Sequence, residues 1–209
     1  MGTKERRQRE MEDRRRLILE KSRDLFFQKG YDNVSVQDIC DAAEYGRSSV
    51  YALFAGKEEI YSYIYVEAMR ILADMFQTID PAGAEFNREF LKSGEIMFDF
   101  FRYHRNYFNA LFHFSTSTPA HSKIPPHVLE LKETEIARAA MPIIALLKRG
   151  IDSGYLREID IEATIYICRA SLVGIITSFI QKESESEEDT MRRYCLLFVE
   201  TYLEGLKAR

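Results

Sequence analysis

Residues 35–57 read Ser35-Val36-Gln37-Asp38-Ile39-Cys40-Asp41-Ala42-Ala43-Glu44-Tyr45-Gly46-Arg47-Ser48-Ser49-Val50-Tyr51-Ala52-Leu53-Phe54-Ala55-Gly56-Lys57. Ser35 stands three residues before Asp38, the spacing of a capping box, and opens a short helix through Ala43 with Val36, Ile39, Cys40 and Ala43 on its inner face. Glu44-Tyr45-Gly46 interrupts the pattern. Val50, Leu53 and Phe54 then form the apolar stripe of a second short helix that begins near Arg47 and is stopped by Gly56. Upstream, Ile18, Ser22, Leu25 and Phe26 fall at i, i+4, i+7 and i+8, one stripe of a first helix from about Glu12 to Lys29 that Gly30 terminates. Two short helices joined by a tight Gly-containing turn and braced by a longer one are the ingredients of a helix-turn-helix reader of DNA.

If Val50, Leu53 and Phe54 face the core, Arg47, Ser48, Tyr51 and Ala52 lie on the opposite side of the second short helix. Arg47 suits guanine or a phosphate, the hydroxyls of Ser48 and Ser49 suit either, and Tyr51 suits a phosphate or a sugar. Helix N-termini add a sequence-independent grip, through Ser35 and Gln37 on the first short helix and Lys57 on the next long one. Each has a blander reading: Ser35 serves as a cap in any case, and a lone Lys57 is more often a solvated lysine.

Outward from this segment the spacing stays helical. A long helix runs from Lys57 to about Thr78, followed by helices at about Ala84–Arg102 and Asn106–Phe114. Ser115–Pro126 reads as a loop, and Pro125 and Pro126 begin a helix that runs to about Asp152 with a kink expected at Pro142. The last two helices, about Asp160–Gln181 and Thr190–Leu206, are separated by the acidic stretch Lys182–Asp189, which reads as a solvated loop. No repeat and no strand is evident, and the class expected is all-α.

The composition agrees. With 209 residues, 46% hydrophobic, 5 Pro and 10 Gly, the chain is long enough to bury a core without metal or disulfide. Cys40, Cys168 and Cys195 have no metal-ligand spacing and read as reduced core thiols. The N-terminus carries charge where a signal peptide would be apolar. The uncharged stretch Ala170–Gln181 spans 12 residues, short of the roughly 20 of a spanning helix. No membrane partner is expected, and the location expected is cytoplasmic.

The aromatic cluster Phe98, Phe100, Phe101, Tyr103, Tyr107, Phe108, Phe112 and Phe114 is either packed core or the lining of a pocket, with core favoured on spacing alone. Phe101, His104, Phe108 and Phe112 are the candidates for an effector site, which would suit an apolar or aromatic molecule. His104, His113, His121 and His127 include no pair at i, i+4, so no metal site is expected. No phosphate loop, nucleophile elbow or placed carboxylate pair appears, so neither an enzyme nor a cofactor is expected. Wide apolar faces on the last two helices suggest a homodimer built as a four-helix interface, with Gly174 allowing close approach.

Ile18-Leu19-Glu20-Lys21-Ser22-Arg23-Asp24-Leu25-Phe26, Gly30-Tyr31-Asp32-Asn33-Val34-Ser35-Val36-Gln37-Asp38-Ile39 and Ala42-Ala43 through Val50-Tyr51-Ala52-Leu53-Phe54-Ala55-Gly56-Lys57-Glu58-Glu59-Ile60 together resemble the N-terminal DNA-binding domain of the TetR (tetracycline-repressor-like) family of bacterial transcription regulators, over about residues 14–61. The resemblance implies an all-helical dimer whose third helix reads DNA, with a remaining body that binds a small effector and dimerises through its last two helices. The departures from the family pattern lie in the reader. Where the family's turn usually runs Gly-Val-Ser this chain has Glu44-Tyr45-Gly46, Ser48-Ser49 replaces a common Gly-Thr, and Ala52-Leu53 follows Tyr51 where aromatic or His residues are usual.

The expectation is a helix-turn-helix domain at 1–56, including a basic arm at 1–11, and a helical ligand-binding and dimerisation domain at 57–209. The function expected is that of a repressor released from a pseudo-palindromic double-stranded DNA operator by a small-molecule effector. The alternative is a helical protein-interaction module of the same fold with little DNA binding. The formal net charge is −4 overall, +4 over residues 1–29 and −4 over residues 30–60, so the first 60 residues are formally neutral. Binding is then expected to depend on a few placed contacts and paired heads, with modest nonspecific affinity.

Overall fold

A computed structural model describes residues 3–116, 124–179 and 185–208. Among the described residues the chain forms nine helices: α1 (Thr3–Lys29), α2 (Val36–Ala43), α3 (Arg47–Tyr51), α4 (Lys57–Phe76), α5 (Phe86–Tyr103), α6 (Arg105–Thr116), α7 (Pro126–Asp152), α8 (Ile161–Phe179) and α9 (Glu185–Leu206). The fold is all-α, and the one β feature described is an isolated antiparallel bridge between Leu156 and Lys207. Pro142 lies inside α7 without dividing it.

Two helix starts differ from expectation, both because charged residues carry helix where no apolar stripe marks it. α1 begins at Thr3 and not near Glu12. Its first turns are rich in Arg, Glu, Lys and Gln, good helix formers, and are supported by surface pairs such as Arg6 with Glu10 at 3.4 Å and Gln8 with Glu12 at 2.8 Å. The basic arm is therefore helical from Thr3 onward. α9 begins at Glu185, so the acidic stretch read as a loop is helical from that residue, while 182–184 lie outside the described residues. Acidic residues near a helix N-terminus are favoured by the aligned peptide dipoles, and Glu188 also meets Arg102 of α5 at 3.6 Å. Of the loop expected at 115–126, residues 117–123 lie outside the described residues.

The chain divides into two compact units, Met1–Ala68 with Asn109–Lys132, and Met69–Phe108 with Glu133–Arg209. In the first, α1 packs on α2 and α2 on α3. Ile18, Phe26, Val34, Ile39, Cys40, Ala43, Val50, Phe54 and Ile60 are buried there. Ser22, within the apolar stripe of α1, is also buried, and its Oγ donates to the Ile18 carbonyl at 2.6 Å. That bond removes the cost of an unpaired hydroxyl in the core.

In the second unit, α5, α8 and α9 pack on one another. Phe90, Phe98, Phe100, Leu146, Leu147, Leu172, Ile176 and Val199 form its core. Two glycines allow close contacts. A Cβ on Gly94 of α5 would lie 3.0 Å from Val199 Cγ2 of α9, and one on Gly150 would lie 2.8 Å from Leu156 and Phe86 side-chain atoms. Gly174, the expected point of close approach, has open space beside it within the subunit. All three cysteines are free and buried, and burial pushes the Cys168 thiol up to about 11 and Cys195 to about 12.

On α8, Thr164, Cys168, Leu172 and Ile176 form one buried stripe. The helix is long and apolar enough to cross a membrane by length and composition, although it carries Glu162 and Arg169. Its outer face leaves Tyr166 62% and Ile167 48% exposed, and α9 leaves Leu197 55% exposed.

Candidate nucleic-acid interface

The reader is built by local signals. Ser35 is extended at φ −99° and ψ 163°, the Asp38 N–H donates to Ser35 Oγ at 3.2 Å, and the Ser35 N–H donates to Asp38 Oδ2 at 2.8 Å. The capping box is thus complete, and Ser35 Oγ also donates to Asp38 Oδ2. These bonds from Ser35, side chain first and backbone second, hold the Asp38 carboxyl below its ordinary value.

α2 ends on Glu44, which adopts the left-handed conformation at φ 57°, ψ 35°. The chain then reverses, with the Tyr45 N–H donating to the Cys40 carbonyl at 3.0 Å. This is the position where the family's turn usually has Gly, and Glu44 is the one non-glycine residue with positive φ among the described residues. Gly46 caps α3 with no side-chain hydrogen bond, as expected from the lost Ser.

Val50 and Phe54 are buried and Leu53 half-buried, while Arg47, Ser48, Tyr51 and Ala52 are exposed and Ser49 is half-buried. α3 ends at Tyr51, so Leu53 and Phe54 of the expected stripe follow it in a turn, where their N–H groups donate to the Val50 carbonyl at 3.0 and 2.9 Å, while the buried and exposed sides divide as the spacing implies. The hydroxyl and guanidinium groups of its outer side face solvent from one short helix, together with Gln37 from α2. Arg47 Nε donates to Gln37 Oε1 at 2.7 Å, and Gln37 Nε2 donates to Asp41 Oδ1 at 2.7 Å. Sequence reasoning had no signal for this chain of side chains, which spans both helices of the motif.

Lys57 has a second occupation. Its ammonium donates to the carbonyls of Tyr31 at 3.0 Å and Val34 at 2.8 Å and lies 4.3 Å from the Tyr31 ring centroid. It closes the loop between α1 and α2, leaving at most one N–H for an outside partner. Burial, with Glu58 and Asp32 nearby, pushes the Tyr31 phenol up to about 12.

Two further residues hold the segment after α3, and neither was singled out from the sequence. Arg15 of α1 donates to the Leu53 carbonyl at 2.8 Å while its guanidinium sits 4.4 Å from the Phe54 ring centroid and 4.7 Å from that of Tyr63. Buried Glu59 accepts the Ala55 N–H at 2.7 Å and lies 3.7 Å from Arg15. Glu59 lies in the first turn of α4, where an acid is favoured by the aligned peptide dipoles, but its bond to the Ala55 N–H is not that of a capping box and has no signature in the sequence.

The four effector candidates are not gathered by either unit. Phe101 and Phe108 are buried and meet edge to face at 5.2 Å in the second unit. His104 caps α5 there, with its ring 5.8 Å from Phe100. Phe112 belongs to the first unit and is 40% exposed. Two described concavities, of about 280 and 430 Å³, are lined by other residues, one set around Arg157 and Tyr202 and one around Arg14 and Tyr45. Of the remaining histidines, His113 lies against the Tyr31 ring at 5.0 Å and His127 shares a 2.7 Å hydrogen bond with the Tyr63 hydroxyl. His121 lies outside the described residues.

Residues 18–64 match the family model described as bacterial regulatory proteins, tetR family. An uncharacterized HTH-type transcriptional regulator of Bacillus subtilis, YhgD, is 24% identical over 207 residues, covering 94% of this chain and 98% of that protein. Among solved structures, a TetR-family regulator of Syntrophomonas wolfei superposes with a TM-score of 0.71 at 19% identity, covering 93% of this chain and 97% of the other. One from a Shewanella species gives 0.67 at 17%, covering 94% and 99%.

Proposed function

This chain belongs to the TetR family of DNA-binding transcriptional regulators, and from that premise we propose that it is a homodimeric repressor whose paired α3 helices read a pseudo-palindromic operator. The observation that carries the reading is the face of α3, where Arg47, Ser48 and Tyr51 are exposed while Val50, like Phe54 just after the helix, is buried. Small side chains at 48, 49 and 52 let the helix backbone approach a groove closely. Arg47, Ser48, Ser49, Tyr51 and Gln37 are assigned to base and phosphate contacts, Ser35 to the cap that orients the α2 N-terminus, and Lys57 to a structural clamp with one N–H left for a phosphate.

The exposed apolar residues of α8 and α9 are assigned to the dimer and not to a membrane, because Arg169 interrupts the apolar face of α8 and its other side is a buried stripe. We assign the protein to the cytoplasm, residues 1–56 to the reading head and residues 57–209 to effector and dimer functions. An apolar or aromatic effector suits side chains such as Phe101 and Phe108. It would act by binding more tightly to a dimer whose heads are wrongly spaced, and it can release DNA only by the ratio of its affinities for the two states. No enzymatic step and no cofactor enters this scheme.

The test is DNA selection and footprinting with the full-length protein, including the region upstream of its own gene. A symmetric footprint whose affinity falls steeply with salt is the expected result, with Arg47→Ala and Tyr51→Ala weakening it while the dimer stays folded. Absence of any specific footprint refutes the repressor.

A further inference from the structure

Gln37 and Arg47 stand on different helices of the motif, and Asp41 stands one turn after Gln37 on α2. All three are exposed. Asp41, when ionised, can only accept, and the Arg47 guanidinium can only donate. A primary amide between the two therefore has one favourable orientation, with Nε2 toward Asp41 and Oε1 toward Arg47, as observed at 2.7 Å for both bonds. With Nε taken by Gln37, Arg47 keeps Nη1 and Nη2, which make none of the hydrogen bonds described among these residues. That edge of the guanidinium carries the paired donors that match guanine O6 and N7.

We propose that Asp41 is a specificity-determining positioning residue: by fixing the Gln37 amide it holds Arg47 in the orientation that reads guanine, without itself touching DNA. The proposal rests on the reading of α3 as the DNA-facing helix. Electrostatics separates this role from a simple charge effect. An acid beside the reader repels phosphate, so removing Asp41 raises affinity for DNA of any sequence at low salt. Loss of the acceptor acts in the opposite sense on selectivity, because the amide can then flip and release Arg47 into many rotamers.

Asp41→Ala and Asp41→Asn both remove the charge, but only Asn keeps an oxygen able to accept from Gln37. Both variants should fold, since the residue is exposed and an acid near a helix C-terminus is electrostatically unfavourable. The experiment is selection from a random-sequence duplex library with the full-length wild-type protein, Asp41→Ala, Asp41→Asn and Arg47→Ala, followed by competition binding on the enriched duplex and its single-base variants.

Wild type should select a motif with one symmetry-related guanine per half-site whose replacement costs about fivefold or more in affinity. Arg47→Ala should lose that preference. Asp41→Ala should also lose it while binding nonspecific duplex more tightly, and Asp41→Asn should bind nonspecific duplex more tightly with the preference intact. If Arg47→Ala depletes the guanine preference but Asp41→Ala retains it, or if Asn and Ala behave alike, the positioning role is overturned and the reading of α3 stands. If Arg47→Ala changes neither motif nor affinity, both fall.

Discussion

Glu44 gives the sharpest test of the local physics of the reader. At φ 57°, ψ 35° its Cβ crowds the backbone, which costs an L-residue roughly 1–2 kcal/mol. Glycine removes the crowding but adds freedom to the unfolded chain, a loss of about 0.4–1 kcal/mol. Glu44→Gly should therefore stabilise the protein by about 0.5–1 kcal/mol, or roughly 1–4 °C in Tm for a chain of this length. The control is Glu44→Ala, which removes the same carboxylate from the C-terminus of α2 but keeps a Cβ. It should recover only the few tenths of a kcal/mol that come from the helix dipole. Urea unfolding at fixed protein concentration gives the comparison, with the midpoint rising for Gly and the slope unchanged. If Gly and Ala shift the midpoint equally, charge and not backbone strain governs the turn. If Gly lowers it, the left-handed assignment of residue 44 is wrong.

Lys57→Met removes the ammonium shared by the Tyr31 and Val34 carbonyls and should cost about 1–3 kcal/mol in urea unfolding; unchanged stability with weaker DNA binding would return Lys57 to a phosphate seat. Glu89 is held below the ordinary carboxyl value first by Lys92 and then by the Asp80 N–H. Its folded value lies below its unfolded value of about 4.3, so its contribution is present above that pH and is lost as pH falls through the folded value. Glu89→Gln should accordingly flatten the acid limb of a stability-against-pH curve, and a slope identical to wild type counts against the pairing. Gly150→Ala places a Cβ 2.8 Å from Leu156 and Phe86 atoms and should destabilise by about 1–3 kcal/mol, read as a lower thermal midpoint. Leu197→Glu on the exposed face of α9 should raise the dimer dissociation constant at least about tenfold, a typical loss for a central apolar contact; sedimentation that still shows dimer at the same concentration refutes that interface.

Much of the reader is legible in the sequence because its signals are short-range. The Ser35–Asp38 box and the Val50, Leu53, Phe54 spacing act within one or two helical turns, and the structure completes the box and buries Val50 and Phe54, although α3 itself stops at Tyr51. The starts of α1 and α9 are less legible for a related reason. Charged residues with good helix propensity and i,i+4 partners leave no apolar stripe to count, so Thr3–Met11 and Glu185–Asp189 read as arm and loop.

Long polar side chains lie beyond that range. Lys57 looks like a surface cation at a helix start, yet the loop carbonyls of Tyr31 and Val34 come within 3.0 Å of it. Arg47 is expected from its position to contact DNA, but its Nε is bonded to Gln37 ten residues earlier, and Gln37 in turn to Asp41. The sequence by itself determines most of the helices, their inner faces and the likeness of residues 18–64 to the tetR family of regulators, since hydrophobic period and capping are local properties of the chain. Which carbonyl satisfies Lys57, which amide bonds Arg47 and which of the aromatic residues become core depend on backbone brought close only by packing. Each of those flexible side chains has many rotamers of similar energy, and the tertiary neighbour selects one of them.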